Sequence, residues 1–314
     1  MLKEVGISGV IDCHTHSGGT DAYNYFAGNI PHSQSVADLL LKTRMSGVDR
    51  VITFPFPGST YYNTQKLIEE GKREPSGLQR FPYEVENIVL ARECGSYQEE
   101  VIPFACVDPT TEVQKQLDLI SDLHSQGKIF GLKLHTLAAG CDATMLITSG
   151  IAEFAEGRNL PIIVHSGVDL VSHPSHVLEV GKKFPRLRLC IAHLAGLDSD
   201  CLTEISKMDN VYVDCVPFLQ ICKAVEDKGT NVSYPNLIDP ANPVQSLLNY
   251  LNVLQDNLIW GTDEPWTTSI EADGTVRSNH TYFDEVKVLV DLARLSEKGL
   301  AKITNENTIN FLFG

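Results

Sequence analysis

The feature that most constrains the fold of this chain is a regular alternation of short apolar, β-branched runs with stretches of helical periodicity. Eight such runs predict strands, at Gly9–Cys13, Arg50–Phe54, Val101–Val107, Ile129–His135, Pro161–His165, Leu187–His193, Val211–Cys215 and Asn257–Thr262. Apolar residues three and four positions apart predict helices between them, at Val36–Met45, Tyr83–Cys94, Val113–His124, Ile147–Gly157, His176–Phe184, Val244–Leu254 and Tyr282–Leu295. Strand–helix alternation predicts parallel βαβ units.

Eight such units in 314 residues match the count of a (β/α)8 TIM barrel. An open doubly wound sheet usually has fewer strands and a glycine-rich first turn, whereas the first turn here is His14-Thr15-His16. We therefore predict one α/β TIM-barrel domain over residues 1–314. Residues 55–82, after strand two, and 216–243, after strand seven, are too long for barrel loops. They are predicted insertions at the C-terminal barrel face, either lids that contact substrate or solvated segments without function.

The charge of the chain limits its partners. With 25 Lys and Arg against 40 Asp and Glu, the net charge is −15, which repels phosphate backbones and anionic lipids. Residues 1–11 contain Lys3 as their one cation and no long apolar run, so we expect neither a signal peptide nor a membrane span. These features predict a cytoplasmic protein that binds neither nucleic acid nor membrane. The eight cysteines contain no Cys-x2-Cys pair and are predicted to be reduced and structural.

Five histidines end, or nearly end, a predicted strand: His14, His16, His135, His165 and His193. On an extended backbone, residues at positions i and i+2 lie on the same face about 6 to 7 Å apart, so His14 and His16 form a chelating arrangement. A carboxylate, Asp263, follows strand eight at the same barrel face.

Taken singly, each of these residues is more often a core histidine, an N-cap or a turn carboxylate. Their common position at the strand ends is what changes the interpretation, because parallel strands in a barrel all end at one face. Imidazole nitrogens with a carboxylate oxygen suit Zn²⁺, with Fe²⁺, Mn²⁺ or Co²⁺ as alternatives. Since this face is open to solvent, the predicted metal site is catalytic and not structural.

Several of these motifs together resemble the amidohydrolase superfamily, in particular its "amidohydrolase 2" branch. The resemblance spans almost the whole chain. The matching pieces are Ile11–His16, Gly131–His135, Pro161–Gly167, Phe184–Gly196, Asn210–Asp214, Gly261–Pro265 and the closing segment Asn305–Leu312.

Position by position, the resemblance implies that His14, His16, His165 and Asp263 bind the metal and that His193 binds it or acts beside it. A water activated by the metal would be the nucleophile. Asp263 would take its proton and pass it to the leaving group, and His193 would polarise the substrate oxygen or act as a second acid/base.

Strand four adds Lys133 and His135, which are two positions apart and therefore face the same way. Both are predicted to contribute to substrate binding. Three roles are open for Lys133: a partner for a substrate carboxylate or another electrostatic role, a carboxylated bridge between two metals as in binuclear relatives, and a buried structural ion pair. We predict a mononuclear site with one divalent transition metal, Zn²⁺, and a second metal if Lys133 is carboxylated.

The leading functional hypothesis is a metal-dependent hydrolase of the amidohydrolase type, which cleaves a carbonyl-centred bond of a small molecule: an amide, cyclic amide or lactone. The alternative within the same fold is a metal-dependent decarboxylase or hydratase acting on an unsaturated or aromatic carboxylic acid. A catalytically silent metal-binding or scaffold barrel is the hypothesis from a different class. The predicted partner is a small-molecule substrate, with a carboxylate as one option, and the frequent dimers of this branch leave a homodimer open.

Overall fold

The computed structural model describes residues 1–20, 29–228, 237–296 and 299–314, and its central element is an eight-stranded parallel sheet. The strands follow one another around the sheet in chain order. They are β1 (Ile11–His16), β2 (Arg50–Phe54), β3 (Val101–Val107), β4 (Gly131–Leu134), β5 (Ile162–Val164), β6 (Leu189–Ile191), β7 (Val211–Asp214) and β8 (Leu258–Ile259).

Backbone hydrogen bonds between β1 and the β8 end close the sheet into a barrel. The Cys13 amide donates to the Trp260 carbonyl at 3.1 Å, and the Asp263 amide donates to the His14 carbonyl at 2.8 Å. The buried Asp12 carboxylate adds to this closure by accepting from the Thr262 amide and hydroxyl. The fold is therefore the (β/α)8 barrel that the strand count predicts.

Helices surround the barrel and connect its strands. They are α1 (Val36–Ser46), α2 (Thr64–Glu70), α3 (Glu84–Cys94), α4 (Val113–Ser125), α5 (Thr136–Ala139), α6 (Met145–Thr148), α7 (Ile151–Gly157), α8 (Ser175–Lys183), α9 (Ser199–Ile205), α10 (Phe218–Lys228), α11 (Pro243–Leu254), α12 (Tyr282–Leu295) and α13 (Asn307–Phe313). The predicted helix Ile147–Gly157 is wrong as one element, because Gly150 at φ 81° leaves the helical region and separates α6 from α7. None of the helices in the described ranges is long and apolar enough to cross a membrane.

The barrel interior is filled by side chains from alternating strand positions, and α13 covers its lower end. Phe311 of α13 lies 5.6 Å from Tyr212 and 6.4 Å from Phe104 between ring centroids. Gly131 on β4 leaves room for this packing, since a Cβ there would lie 2.3 Å from the Phe104 ring. All eight cysteines are buried and free, as predicted for a reduced, structural set. The lower barrel is thus a packed core, and the open end is the one formed by the strand C-termini.

The two long connections predicted as insertions both contain a helix that the periodicity analysis missed. Residues 55–82 include α2, and residues 216–243 include α10, although 229–236 lie outside the described residues. A further hairpin pairs Thr268–Ile270 with Val276–Asn279 after β8. Of these elements, α10 matters most for the site, because it stands beside the C-terminal face of the barrel.

Glu285 of α12 holds the start of α10, and this contact predicts a pH-dependent stability. Its Oε1 accepts from the Leu219 amide at 2.9 Å, while burial raises the pKa of the carboxyl from 4.5 to about 8. The folded chain therefore keeps a proton that the unfolded chain releases, so the free energy of unfolding falls as pH rises from about 4.5 to about 8.

We expect Glu285→Gln, which cannot ionise, to lose this part of the pH dependence. Its melting temperature should fall less than that of the wild type between about pH 5 and about pH 9, as followed by circular dichroism. Glu153→Gln, at an exposed position of α7, is the control and should behave as the wild type. An equal fall in Glu285→Gln and wild type would contradict the prediction.

Candidate metal centre

The strand-end residues predicted from the sequence meet at the C-terminal face of the barrel. His14 and His16 lie at the end of β1 with ring centroids 5.6 Å apart, and both rings pack against the edge of Phe54. A bulge in β1 includes His14, since Cys13 and His14 together stand opposite one residue of β2. Bulges re-aim side chains, and here the bulge contains the first of the two buried imidazoles.

Asp263 is the centre of the cluster. Its Oδ1 lies 3.3 Å from Nε2 of His14 and 3.3 Å from Nε2 of His16. The potential donor atoms of His14, His193 and Asp263 all lie within 4.8 Å of one another. The structure therefore brings together His14, His16, His193 and Asp263 from strand ends that are far apart in sequence.

His165 joins this group through His193. Its Nδ1 lies 2.9 Å from Nε2 of His193, and its ring stacks on His135 with centroids 4.0 Å apart. The compact group of donors, His14, His193 and Asp263, thus contains His193. The family resemblance implies that His165 is a ligand and that His193 binds the metal or acts beside it. His165 remains a predicted ligand, one hydrogen bond away from the trio.

Three of the histidines have their ring orientation and tautomer fixed by a hydrogen bond from Nδ1. His14 donates to Asp214 Oδ2 at 2.8 Å and His16 to Pro55 O at 3.2 Å, so Nε2 of each faces Asp263. His193 donates to Val216 O at 2.7 Å, and this same Nδ1 is the ring nitrogen near Asp263, 3.9 Å from Oδ2. A neutral imidazole carries one proton, so Nε2 of each ring keeps its lone pair. This is the arrangement found around metal-ligating histidines.

Burial keeps these rings neutral. The pKa values of His14 and His165 are well below the ordinary range because the rings are buried, with the neighbouring Lys133 adding to the effect. Burial also lowers the pKa of His193, although Asp263 opposes this shift. Since metals bind the deprotonated ring nitrogen, the electrostatics of the site suit metal coordination.

Two buried polar atoms test whether a metal fits. Within the described ranges, Nε2 of His16 and Oδ1 of Asp263 have no hydrogen-bond partner. Leaving such atoms unpaired is costly unless a ligand completes them. Imidazole nitrogen and carboxylate oxygen are donors that Zn²⁺ and other divalent transition metals accept. The residues of the site therefore fit such a metal.

His193 and Asp263 share an unusual backbone conformation. Both have φ 59°, in the left-handed region that residues with a side chain rarely adopt. Strain of this kind persists where the surrounding structure enforces it, and it clusters at functional sites.

Asp214, at the end of β7, is a site residue that the sequence analysis did not single out. It accepts from Nδ1 of His14 and, through its other oxygen, from the His193 amide at 2.8 Å. Burial raises its pKa to about 7, while the charge of Lys133 opposes that shift. Its position in the sequence could have identified Asp214 as a site residue, since it ends an apolar strand in the same way as the predicted ligands.

We expect Asp214→Asn to weaken metal binding about 10- to 100-fold, because the His14 ring loses its charged acceptor and one amide oxygen cannot replace two carboxylate oxygens that accept from the His14 ring and the His193 amide. Competition with a zinc indicator gives the affinity. Asp108→Asn is a matched control, because Asp108 is also a buried carboxylate after a strand but accepts from Tyr62 and Thr110 instead. Equal zinc affinities for the two variants would contradict an orienting role of Asp214.

Lys133 and His135 occupy different environments although both come from the β4 region. Lys133 is buried, its Nζ donates to Nε2 of His14 at 3.1 Å, and it lies 4.7 Å from the Phe54 ring centroid. Burial lowers its pKa, while Asp214 and Asp263 act in the opposite direction. His135 lies at the N-terminus of α5, where its Nδ1 accepts from the Ala138 amide at 3.2 Å.

A cavity of about 370 Å³ opens beside the cluster and is lined in part by His135, His165, His193 and Asp263. Trp266 also lines it and stacks on His16 at a centroid distance of 4.8 Å. Tyr61 and Tyr62 are buried against each other in an edge contact. A volume of this size is typical of a small-molecule site.

The sequence of this chain matches a known protein family. A family model described as Amidohydrolase matches residues 11–313. A search of curated proteins by sequence gave no match.

Solved structures share the fold at low sequence identity. A probable 2-pyrone-4,6-dicarboxylic acid hydrolase from Acinetobacter baumannii is 15% identical, with a TM-score of 0.61 over 97% of this chain and 99% of that one. A 5-carboxyvanillate decarboxylase from Sphingomonas paucimobilis is 10% identical, with a TM-score of 0.62 over 96% and 98%. A 2,6-dihydroxybenzoate decarboxylase from Rhizobium is 12% identical, with a TM-score of 0.60 over 98% and 99%.

Proposed function

The chain belongs to the amidohydrolase family, and from this premise we propose that it is a metal-dependent hydrolase that cleaves an amide, cyclic amide or lactone of a small molecule. The observation that carries the proposal is the cluster of His14, His193 and Asp263, whose donor atoms lie within 4.8 Å of one another. Two of these residues, His193 and Asp263, also line a cavity large enough for a small substrate.

The proposed ligands of one divalent transition metal, Zn²⁺, are His14, His16, His165 and Asp263. When bound, such a metal supplies Lewis acidity, which polarises a carbonyl and acidifies water. Support for the assignment comes from the inward Nε2 atoms of His14 and His16 and from the 3.3 Å separation of each from Asp263 Oδ1.

Asp263 and His193 are the proposed acid/base pair. Asp263 would take a proton from the attacking water and deliver it to the leaving group. His193 donates its Nδ1 proton to the Val216 carbonyl, so Nε2 of the neutral ring is an acceptor, and in the structure it accepts from Nδ1 of His165 at 2.9 Å. This tautomer favours a second acid/base role for His193 that begins with the uptake of a proton.

His135 and Lys133 are proposed to contribute to substrate binding in different ways. Because Nδ1 of His135 accepts from the Ala138 amide, the ring proton lies on Nε2, where it can be donated to a substrate oxygen. Lys133 is not among the described residues that line the cavity, so its contribution would be electrostatic and transmitted through His14. A carboxylated Lys133 that holds a second metal is the alternative role.

A decarboxylase acting on an unsaturated or aromatic acid is the second candidate. The observation that favours it is the apolar wall of the cavity, formed by Leu137, Ile221 and Ala224. An apolar wall disfavours a carboxylate more than it disfavours the neutral product that remains after CO₂ is lost.

The experiment that tests the proposal combines metal counting with a substrate panel of lactones, cyclic amides and unsaturated acids. We expect about one metal per chain in wild type and in Lys133→Met, and products that have gained one water. Release of CO₂ instead would favour the decarboxylase. Asp263→Asn is the control for contaminating activity, and turnover equal to that variant across the panel would overturn the enzymatic proposal. Two metals in wild type, both lost in Lys133→Met, would favour a carboxylated bridge.

A further inference from the structure

Lys42 of α1 connects two side chains that belong to different parts of the barrel. Its Nζ donates to Oε1 of Gln34 at 2.7 Å and pairs with the carboxylate of Glu264. Gln34 follows β1 in the chain, whereas Glu264 follows β8, and both are buried. The Lys42 side chain is itself 34% exposed. Its ammonium group therefore joins two buried polar groups where the first and last strands of the barrel meet.

Gln34 extends this contact to the end of β1. Its Nε2 donates to the His16 carbonyl at 2.8 Å, and its backbone carbonyl accepts from the Gly18 amide at 3.0 Å. A lysine ammonium has no acceptor, so it can pair only with the oxygen of the Gln34 amide. Lys42 therefore fixes the orientation in which the amide nitrogen points to His16.

Glu264 extends the contact to the end of β8, because it directly follows the proposed ligand Asp263. Its Oε2 accepts from the Thr267 hydroxyl at 2.9 Å, while Lys42 pairs with Oε1. The backbone carbonyl of Glu264 accepts from the His16 amide at 2.8 Å. Both the side chain and the backbone of Glu264 are thus held, and Lys42 compensates a carboxylate that is buried.

The two branches reach the two proposed ligands whose donor atoms lie close together. Nε2 of His16 is 3.3 Å from Oδ1 of Asp263. Groups that hold metal ligands in place contribute to metal affinity although they do not touch the metal. Building on the proposed function, we propose that Lys42 is a positioning residue, which acts through its two buried partners to hold His16 and Asp263 at the separation that the metal requires.

Charge alone predicts the opposite effect of removing Lys42. A cation repels a metal ion, so its loss should tighten metal binding, and the carboxylate of Glu264 left behind should attract the metal further. Positioning predicts weaker binding instead. A buried carboxylate without a partner is costly and moves toward water, and the Gln34 amide is no longer held in one orientation. The sign of the change therefore distinguishes positioning from charge.

The zinc affinity of Lys42→Met, measured on metal-free protein by competition with a zinc indicator, tests the proposal. We expect an affinity about tenfold lower than that of wild type, at the lower end of the effect of residues that orient metal ligands. The cobalt(II)-loaded variant should also have an altered visible absorption spectrum, because this spectrum reports the geometry of the ligands. A merely structural role of Lys42 would lower the melting temperature of the metal-free protein and leave the cobalt spectrum unchanged.

Arg44→Met is the matched control. Arg44 lies on the same helix, and its loss also removes one positive charge from an ion pair, here with Glu100 at 2.8 and 2.7 Å. This variant should keep the wild-type zinc affinity and cobalt spectrum. If Lys42→Met does not fold, Gln34→Met replaces it, because it removes the donor to the His16 carbonyl without a change in charge. It should lower the zinc affinity by about tenfold as well.

A zinc affinity of Lys42→Met, or of its replacement Gln34→Met, that equals or exceeds that of wild type would overturn the proposal. An unchanged cobalt spectrum, or an equal loss of affinity in Arg44→Met, would also overturn it. Failure of the proposed function has a different signature. If wild type binds no zinc, the metal-dependent function fails and the positioning role fails with it. If wild type binds one zinc per chain and Lys42→Met binds it equally well, only the positioning role fails.

Discussion

Purified His14→Ala is expected to contain almost no metal and to lose turnover by more than about 10³-fold. His14 is buried, its Nε2 lies 3.3 Å from Asp263 Oδ1, and its Nδ1 is held by Asp214. Removing the ring takes away one donor of the compact trio. Loss of the metal removes more stabilisation of transition-state charge than loss of one hydrogen-bond donor, which alone costs about 10² to 10³.

Elemental analysis of protein purified with added zinc gives the metal content per chain. An assay with any substrate found in the panel then gives the turnover. His124→Ala is the matched control, since His124 is a part-buried histidine of α4 that contacts the Ile129 carbonyl at 3.0 Å, outside the cluster. It should keep the metal and full activity. A His14→Ala protein that holds one metal per chain with wild-type affinity would show that His14 is not a ligand.

His193→Asn is expected to keep the metal while kcat falls about 10²- to 10⁴-fold, the range for loss of a general acid/base. The expected separation between metal content and turnover follows from the proposed ligand set, in which His165 and not His193 coordinates. The Nδ1 bond from His193 to Val216 and the contact of its Nε2 with His165 hold the ring in the cavity lining, beside the proposed ligands His165 and Asp263.

The same measurement separates the two roles open to His193. His14, His193 and Asp263 form the compact donor group, so loss of the metal in His193→Asn would assign His193 as a ligand and contradict the acid/base role. His173→Asn is the control, because His173 follows β5 but is half-buried away from the cluster, where it contacts Ser175 and Asp198. It should retain both metal and turnover.

Local patterns in the sequence predict most of the barrel. The limits of β2, β3 and α12 agree with the apolar periodicity, because each is a regular element whose buried face repeats at the strand or helix period. By contrast, α2 and α10 were missed inside the two long connections. The seven residues of α2 bury no side chain, and its apolar residues Leu67 and Ile68 are adjacent and show no helical spacing. In α10, Phe218, Cys222 and Val225 recur at helical spacing and are buried, so a signal was present in a segment that was assigned to a long connection.

The place of the candidate site in the barrel could also be predicted from the sequence, whereas the role of Asp214 could not. His14, His16, His165, His193 and Asp263 were identifiable because each follows a predicted strand. Asp214 shares that position but stands alone in its motif, and its importance lies in two contacts, with the His14 ring and with the His193 amide.

The sequence by itself determined the barrel and the face that carries the chemistry, because strand–helix alternation in parallel units brings every strand C-terminus to one end. Only the tertiary structure decided which ring nitrogens of His14 and His16 face Asp263, and that Lys133 donates to His14 and is not among the described residues that line the cavity. The physical reason is that these properties depend on contacts between distant residues, such as Lys133 and His14, 119 positions apart, or His14 and Asp214, 200 positions apart. Periodicity reports the local backbone and which face of an element is apolar, but it carries no information about which distant side chain completes a hydrogen bond.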